Sequence, residues 1–141
     1  MVAIPDRLTL HIVSADRSLV NEQVDEVEIP GADGYFGVLP GHTPLLAMLA
    51  VGQLWYRQGQ EKHYLLIAFG FAEVQPDRVT ILAQIAERAD EIDTARAEAA
   101  KRRAEERLGK PMPEMDFERA RIALLKSLIR LQVASRARTR V

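Results

Sequence analysis

The chain contains no cysteine, which excludes disulfide bridges, thiolate nucleophiles and cysteine-ligated zinc. It also lacks long apolar runs: the longest, Leu45 to Val51, is far shorter than the roughly 20 residues that cross a bilayer. The first ten residues include Asp6 and Arg7 and show no apolar core of a secretory signal peptide. From these absences we expect a soluble protein that could still dock on a membrane-bound complex.

Catalytic motifs are missing as well. The sequence has no G-x-S-x-G nucleophile elbow and no H-E-x-x-H zinc motif. Its three histidines, His11, His42 and His63, show no spacing typical of metal ligands. A glycine-rich stretch around residue 35 lacks the Lys-Ser/Thr of a phosphate-binding loop. We therefore expect no enzyme active site, no metal site and no required cofactor.

Charge is distributed unevenly along the chain. Residues 1–86 carry five basic and ten acidic side chains, whereas residues 116–141 carry seven basic and two acidic ones. Such a split suggests two units with different partners. The alternative is a helix solubilised by its charges that ends in a frayed basic tail. No aromatic platform accompanies the basic residues, so we expect no nucleic-acid partner.

The first 86 residues have a pattern typical of β-strands. Leu8, Leu10 and Ile12 occupy alternate positions, and further short apolar segments follow as far as Leu82. Turn signals such as Pro30-Gly31 separate them, and seven of the eight glycines lie in this part of the chain. The pattern predicts an antiparallel sandwich or barrel over residues 1–86.

Residues 87–141 are predicted to form a helical hairpin. From Asp93 to Leu108 the chain is rich in Ala, Glu, Arg and Lys, which are strong helix formers, and Asp93 is a suitable N-cap. Gly109 is followed by a short loop, after which Asp116 caps a second helix that runs to about residue 137. A short loop between two helices implies an antiparallel arrangement.

The second helix carries more apolar residues than one buried face requires. What we call the first stripe consists of Phe117, Ala120, Leu124, Leu128 and Leu131, and the second stripe consists of Ile122, Leu125, Ile129 and Val133. The first helix offers mainly alanine, which permits close approach but buries little area. A two-helix hairpin cannot cover both stripes by itself. We expect the second helix to pack on the β-domain, on another subunit, or on both in turn.

One long motif connects the sequence to a known family. From Ile29 to Leu45 the chain reads I-P-G-A-D-G-Y-F-G-V-L-P-G-H-T-P-L. Further on come F-G-F-A-E-V from Phe69 to Val74, V-T-I-L-A from Val79 to Ala83, and I-D-T-A-R-A from Ile92 to Ala97. In this order the segments resemble the epsilon subunit of the bacterial rotary F-type ATP synthase, and the resemblance covers nearly the whole chain.

The resemblance implies an N-terminal antiparallel β-sandwich of about ten strands followed by the two-helix hairpin. It also implies a non-catalytic subunit of the central stalk in a proton-translocating ATP synthase. The β-domain would bind the gamma subunit and the c-ring, and the hairpin would extend into the catalytic alpha/beta hexamer and inhibit ATP hydrolysis. The protein would lie on the cytoplasmic face of the bacterial inner membrane, as a peripheral subunit whose membrane contact is indirect.

A nucleotide site is the further implication of the resemblance. Positions that match the ATP-binding motif of some bacterial epsilon subunits are Glu87, Ile92, Asp93, Arg96, Ala97, Arg103, Lys126 and Arg130. Arginines supply charge-assisted hydrogen bonds to phosphate. Lys126 stands where the best-known binders have arginine; it keeps the charge and loses the planar fork, which lowers the expected affinity. Alternatively, Asp93 is simply the helix N-cap and the arginines are solvated or pair with Glu98 and Glu106.

Other residues are candidates for contacts with neighbouring subunits. On the β-domain these are Gly37, Pro40, Gly41 and His42, and on the second helix Arg119 and Arg121, whose charge suits an acidic surface. The alternative function is a free β-domain adaptor with a helical protein-interaction tail.

Overall fold

The computed structural model describes residues 3–110, 112–113 and 116–138. Seven strands precede a single 3-10 turn and two helices. The strands are β1 (Leu8–Val13), β2 (Ser18–Val24), β3 (Glu26–Gly31), β4 (Gly34–Val38), β5 (Leu45–Gln58), β6 (Glu61–Val74) and β7 (Arg78–Arg88). The 3-10 turn is Ala89–Glu91, and the helices are α1 (Thr94–Gly109) and α2 (Phe117–Arg138).

The strands form one hydrogen-bonded sheet in the order β2-β1-β7-β6-β5-β3-β4. All seven strands contribute to a common apolar core, so the sheet folds over on itself into two layers. Three strands are long: β5 and β6 have 14 residues each and β7 has 11. The pairing of these three strands is interrupted along one line, at Ala50, Phe69 and Gln84.

This line changes which residues face the core. Before it, β6 directs Leu65 and Ile67 into the common core; after it, the core residues of β6 are Ala72 and Val74. Phe69 and Gly70 adopt φ values of 61° and 119°, in the left-handed region that favours glycine. A Cβ atom at position 70 would lie 2.0 Å from the carbonyl oxygen of Leu82, so the close approach of β6 to β7 requires glycine here.

The sandwich prediction is confirmed, with two corrections. Seven continuous strands replace the expected ten, because β5, β6 and β7 each cross the interrupted line, and splitting these three at the line gives ten segments. The sheet is also not wholly antiparallel, since β1 pairs with β7 in parallel. Local alternation could not reveal either fact, because both depend on pairing between distant segments.

Both helices begin at the predicted caps. The Asp93 carboxylate accepts a hydrogen bond from the Arg96 amide at 3.0 Å, and the Asp116 carboxylate accepts one from the Arg119 amide at 3.0 Å. Helix α1 packs on α2, and α2 in turn packs on β5, β6 and the 3-10 turn. The predicted loop from Lys110 to Met115 lies only partly within the described residues.

The two apolar stripes of α2 have different surroundings. Leu125, Ile129 and Val133 of the second stripe pack on the outer face of the sheet against Val51, Leu66 and Ala68. In the first stripe Ala120 is buried, whereas Phe117 and Leu128 remain exposed. The first stripe is therefore only partly exposed, since Leu124 and Leu131 are half-buried, and packing of α2 on another subunit stays a prediction. On α1, Ala97 and Ala104 are buried, as the small-residue face predicted.

Candidate functional site

A cleft of about 390 Å³ opens where the sheet ends and the hairpin begins. It lies between the end of β7, the 3-10 turn, the start of α1 and the middle of α2. Its lining consists of Glu87, Glu91, Ile92, Asp93, Arg96, Ala97, Ala100, Arg103 and Arg130. Seven of the eight residues that match the nucleotide motif thus meet in one place, although they are spread over 44 positions of sequence.

Three arginines line the cleft together with the three carboxylates of Glu87, Glu91 and Asp93. Arg130 Nε donates to Glu87 Oε1 at 2.8 Å, so this guanidinium is already paired across the cleft. Arg96 and Arg103 are exposed on α1, and within the described residues neither forms an ion pair with Glu98 or Glu106. Two guanidinium groups are therefore available to an anion.

The N-terminus of α1 also lies at the cleft. Asp93 is the N-cap, and the first turn of α1 contains no acidic residue. Unpaired amides and the helix dipole at such a terminus favour anions. The cap interpretation of Asp93 and its place in the cleft are compatible, because the carboxylate accepts from the Arg96 amide while remaining exposed.

Glu91 lines the cleft and was not singled out from the sequence. Arg17, in the turn between β1 and β2, donates from Nη1 to Glu91 Oε2 at 2.6 Å and from Nη2 to Glu91 Oε1 at 3.3 Å. The amide of Arg88 also donates to Glu91 Oε1, at 3.0 Å. The Arg17 guanidinium is the main reason that the pKa of Glu91 lies below its usual value. A contact across 74 positions leaves no local signal in the sequence.

Lys126 is the motif residue that does not line this cleft. It lies in a neighbouring groove between α1 and the first half of α2, together with Arg119, Ile122 and Ala123. Arg130 lines both the cleft and this groove. Arg121, in contrast, pairs with Glu118 at 2.9 Å on the exposed side of α2.

The signature loop lies at an edge of the sheet. Gly37 belongs to the edge strand β4, which pairs with β3, and no atom of the described residues lies within 4 Å of the place where its Cβ would be. Gly41 donates to the Pro76 carbonyl at 2.7 Å and has a φ of 88°. The half-buried His42 donates from Nδ1 to the Thr43 carbonyl at 2.6 Å. Pro40 is also half-buried, while Leu39 beside it is exposed.

An exposed apolar row crosses the sandwich. Met48, Phe71 and Leu82 are register partners on β5, β6 and β7, and they are 62%, 49% and 54% exposed. They point away from the core because their neighbours Leu49, Ala72 and Ile81 point into it. Three large apolar side chains side by side on a surface indicate a place where another molecule binds.

Metal ligation and membrane insertion are the two remaining kinds of site. In the part of the chain that the structure describes, no three His, Asp or Glu residues lie close enough to hold a metal ion. None of the described helices has the length and apolar character needed to span a bilayer.

Comparison with known families assigns almost the whole chain. Residues 7–89 match the family described as ATP synthase, Delta/Epsilon chain, beta-sandwich domain. Residues 90–135 match the family described as ATP synthase, Delta/Epsilon chain, long alpha-helix domain. The predicted division between residues 86 and 87 stays a prediction.

Individual relatives and solved structures agree with these matches. An ATP synthase epsilon chain of Nitratidesulfovibrio vulgaris is 46% identical over 130 residues, which cover 92% of this chain and 97% of the relative. One of Syntrophobacter fumaroxidans is 47% identical over 131 residues, 93% of this chain and 98% of the relative.

Among solved structures, a chain of the Euglena gracilis mitochondrial ATP synthase, OSCP/F1/c-ring, superposes with a TM-score of 0.82. It is 28% identical, and the match covers 95% of this chain and 84% of that one. A chain of the Tetrahymena thermophila mitochondrial ATP synthase central stalk/c-ring shares the fold, with a TM-score of 0.54, 12% identity and coverage of 96% and 100%. The protein therefore belongs to the family of ATP synthase epsilon chains.

Proposed function

We propose that this chain is an accessory, non-catalytic subunit of the central stalk of a bacterial proton-translocating ATP synthase. It couples the gamma subunit to the c-ring through its β-domain and restrains ATP hydrolysis through its hairpin. The observation that carries the proposal is the division of α2 into two apolar stripes, one packed on the sheet and one that still exposes Phe117 and Leu128. The protein reaches the cytoplasmic face of the membrane only through the complex.

The apolar row is the surface that we assign to gamma, and the loop from Gly37 to His42 faces the c-ring. Replacing Phe71 by Asp places a charge in the middle of the row, where docking would have to desolvate it. We expect Phe71→Asp to abolish co-purification with gamma while the β-domain stays folded. Phe117→Asp is the matched control, because Phe117 is equally exposed, at 52%, but lies on the hairpin. Equal retention of both variants by gamma would contradict this assignment.

The hairpin is suited to a reversible role. Its attachment to the sheet includes one apolar stripe, the Glu87–Arg130 ion pair and the Arg136 guanidinium over the Tyr64 ring, while α1 contributes mostly alanine. A helix that leaves the sheet exchanges this contact for one with the alpha/beta hexamer, where Arg119 and Arg121 meet an acidic surface. We expect a chain that ends at Ile92 to assemble normally and to raise hydrolysis by the reconstituted enzyme. Unchanged hydrolysis would remove the inhibitory role.

ATP is the regulatory ligand that we propose for the cleft. Arg96 and Arg103 meet the phosphates at the N-terminus of α1, and Arg130 joins them when it exchanges Glu87 for a phosphate oxygen. A ligand shifts the hairpin equilibrium only if it binds the two states unequally. Because the cleft is lined by both helices, ATP would favour the folded state. Titration of the full chain with ATP should move the amide resonances of residues 91–103; unchanged resonances at millimolar ATP would contradict binding.

The free adaptor is the second candidate function, and the exposed row and stripe would serve it equally well. Co-expression with gamma separates the two proposals, because a stalk subunit forms a stable complex that survives purification. A free adaptor would not co-purify with gamma.

A further inference from the structure

The 3-10 turn Ala89–Glu91 joins the sheet to the hairpin, and it is bound to the sheet side. Arg17 holds the Glu91 carboxylate with both terminal nitrogens, at 2.6 and 3.3 Å. Arg17 Nη2 also lies 3.5 Å from the Ala86 carbonyl, to which it donates. One arginine of the β1–β2 turn therefore contacts the end of β7 and the end of the 3-10 turn at once. Planar guanidinium groups suit such two-point contacts.

Further contacts close the turn against the β-domain. The Arg88 guanidinium donates to the carbonyl of Leu19 on β2, and the Arg88 amide donates to Glu91 at 3.0 Å. Ala89 packs against an apolar cluster to which β5 and β6 contribute Val51, Leu66 and Ala68 and α2 contributes Val133. Arg17 and Leu19 belong to the first 20 residues of the chain, so these bonds do not depend on α1 or α2.

Beyond Glu91 the polar attachments change, while Ile92 packs against the same apolar cluster as Ala89. Asp93 already belongs to α1, because its carboxylate accepts from the Arg96 amide and its carbonyl accepts from the Ala97 amide. Ile92 lies between the pinned turn and the capped helix, with φ −75° and ψ 124°. Asp93 is extended too, with φ −80° and ψ 100°. These two residues join one unit fixed to the sheet and another fixed to a helix.

We propose that Arg17 pins the 3-10 turn to the β-domain, so that the hairpin pivots at the Ile92–Asp93 junction while residues up to Glu91 stay with the sheet. This inference rests on the proposed function, in which the hairpin leaves the sheet. Glu91 then remains at the base of the cleft in both states, and Asp93, Arg96 and Arg103 depart with the helices. Arg17 acts as a positioning residue, since it orients the turn that carries the cleft.

The test uses the full chain with a hairpin that is forced off the sheet. Ile129→Glu combined with Val133→Glu puts two carboxylates into the apolar contact of α2. Backbone order parameters are then measured by NMR along residues 84–98. We expect rigid values of about 0.85 through Glu91 and flexible values below about 0.6 from Ile92 or Asp93 onward. Adding Arg17→Ala should move this boundary back to Ala89.

Matched variants separate the pin from general surface effects. Arg121→Ala in the same background removes another arginine–glutamate pair, with Glu118, and should leave the boundary at Ile92. Two results would overturn the pin and leave the regulatory role intact. In the first, the detached hairpin is already flexible from Ala89 onward although Arg17 is present. In the second, Arg17→Ala does not move the boundary. An α2 that keeps its wild-type order despite both carboxylates would overturn the pivot and the mobile hairpin together.

Discussion

Arg130 in the middle of α2 and Glu87 near the end of β7 form an ion pair with an Nε–Oε1 distance of 2.8 Å. The pair lies inside the cleft and connects α2 to the sheet. Both side chains are less than a third exposed, so solvent screens them less than it screens most surface pairs.

We expect Arg130→Gln to weaken docking of the hairpin by about 1 kcal/mol, because it leaves the Glu87 carboxylate without its charged partner. The measurement is amide hydrogen exchange in α2, which should become faster while exchange in β6 is unchanged. Glu118→Gln breaks the more exposed pair with Arg121 on the same helix and serves as the control. Equal exchange in the two variants would mean that the Glu87–Arg130 pair does not hold the hairpin.

Gly70 should tolerate no side chain. Its φ of 119° and the 2.0 Å approach of a Cβ to the Leu82 carbonyl oxygen both oppose alanine. We expect Gly70→Ala to lower the free energy of unfolding of the β-domain by about 3 kcal/mol. Denaturant unfolding followed by the fluorescence of Trp55 measures the effect. Gly37→Ala, placed in open space, should change the same quantity by less than about 0.5 kcal/mol.

Tyr35 fixes the edge of the sandwich from β4. Its hydroxyl oxygen accepts a hydrogen bond from the Gln53 amide at 3.1 Å and lies over Gly52, where a Cβ would approach it to 2.5 Å. Tyr35→Phe removes the acceptor and leaves that amide unpaired, so we expect a loss of about 1 kcal/mol in the free energy of unfolding. A variant as stable as the parent in urea would show that solvent replaces the bond.

Asp25 predicts a dependence of stability on pH. Its carboxylate accepts from the Gly59 amide at 2.6 Å, and this bond is the main reason that the pKa of Asp25 lies below its usual value; Arg7 and Arg57 add to it. Because the pKa of Asp25 is lower in the folded state, its ionised carboxylate stabilises the fold fully at pH values above the ordinary pKa of about 4. This stabilisation is lost as the pH falls through the lowered pKa. The urea midpoint should fall over this acidic range. Asp25→Asn should flatten the slope, and an unchanged slope would contradict the assignment.

Lys126 offers a gain-of-binding test of the nucleotide proposal. It lies one helical turn before Arg130, in the groove that adjoins the cleft. We expect Lys126→Arg to tighten ATP binding about tenfold, because a planar guanidinium adds a two-point contact worth about 1.4 kcal/mol. Arg119→Lys in the same groove is the control. Titration calorimetry that gives the parental affinity for Lys126→Arg would show that position 126 does not reach the nucleotide.

Local chemistry explains why much of the helical half was predictable. Asp93 and Asp116 are caps that act within three residues, and the two stripes of α2 follow from helical periodicity. The motif residues pointed to one cleft, and seven of them line it. Glu91 and Arg17 were not found because their contact spans 74 positions. Strand β2 was not predicted because its apolar and buried residues do not alternate along the strand. The continuity of β5, β6 and β7 depends on pairing between strands, which no single segment encodes.

The row of Met48, Phe71 and Leu82 also matters to a copy that has not yet joined its complex. In such a copy these apolar side chains and the edge strand β4 are exposed to water. Two unassembled copies can bury these surfaces against each other. Self-association of the unassembled chain therefore increases as its concentration rises. Balanced synthesis of this chain and its partners limits aggregation. Surplus unassembled molecules expose the apolar surface that chaperones and proteases recognise.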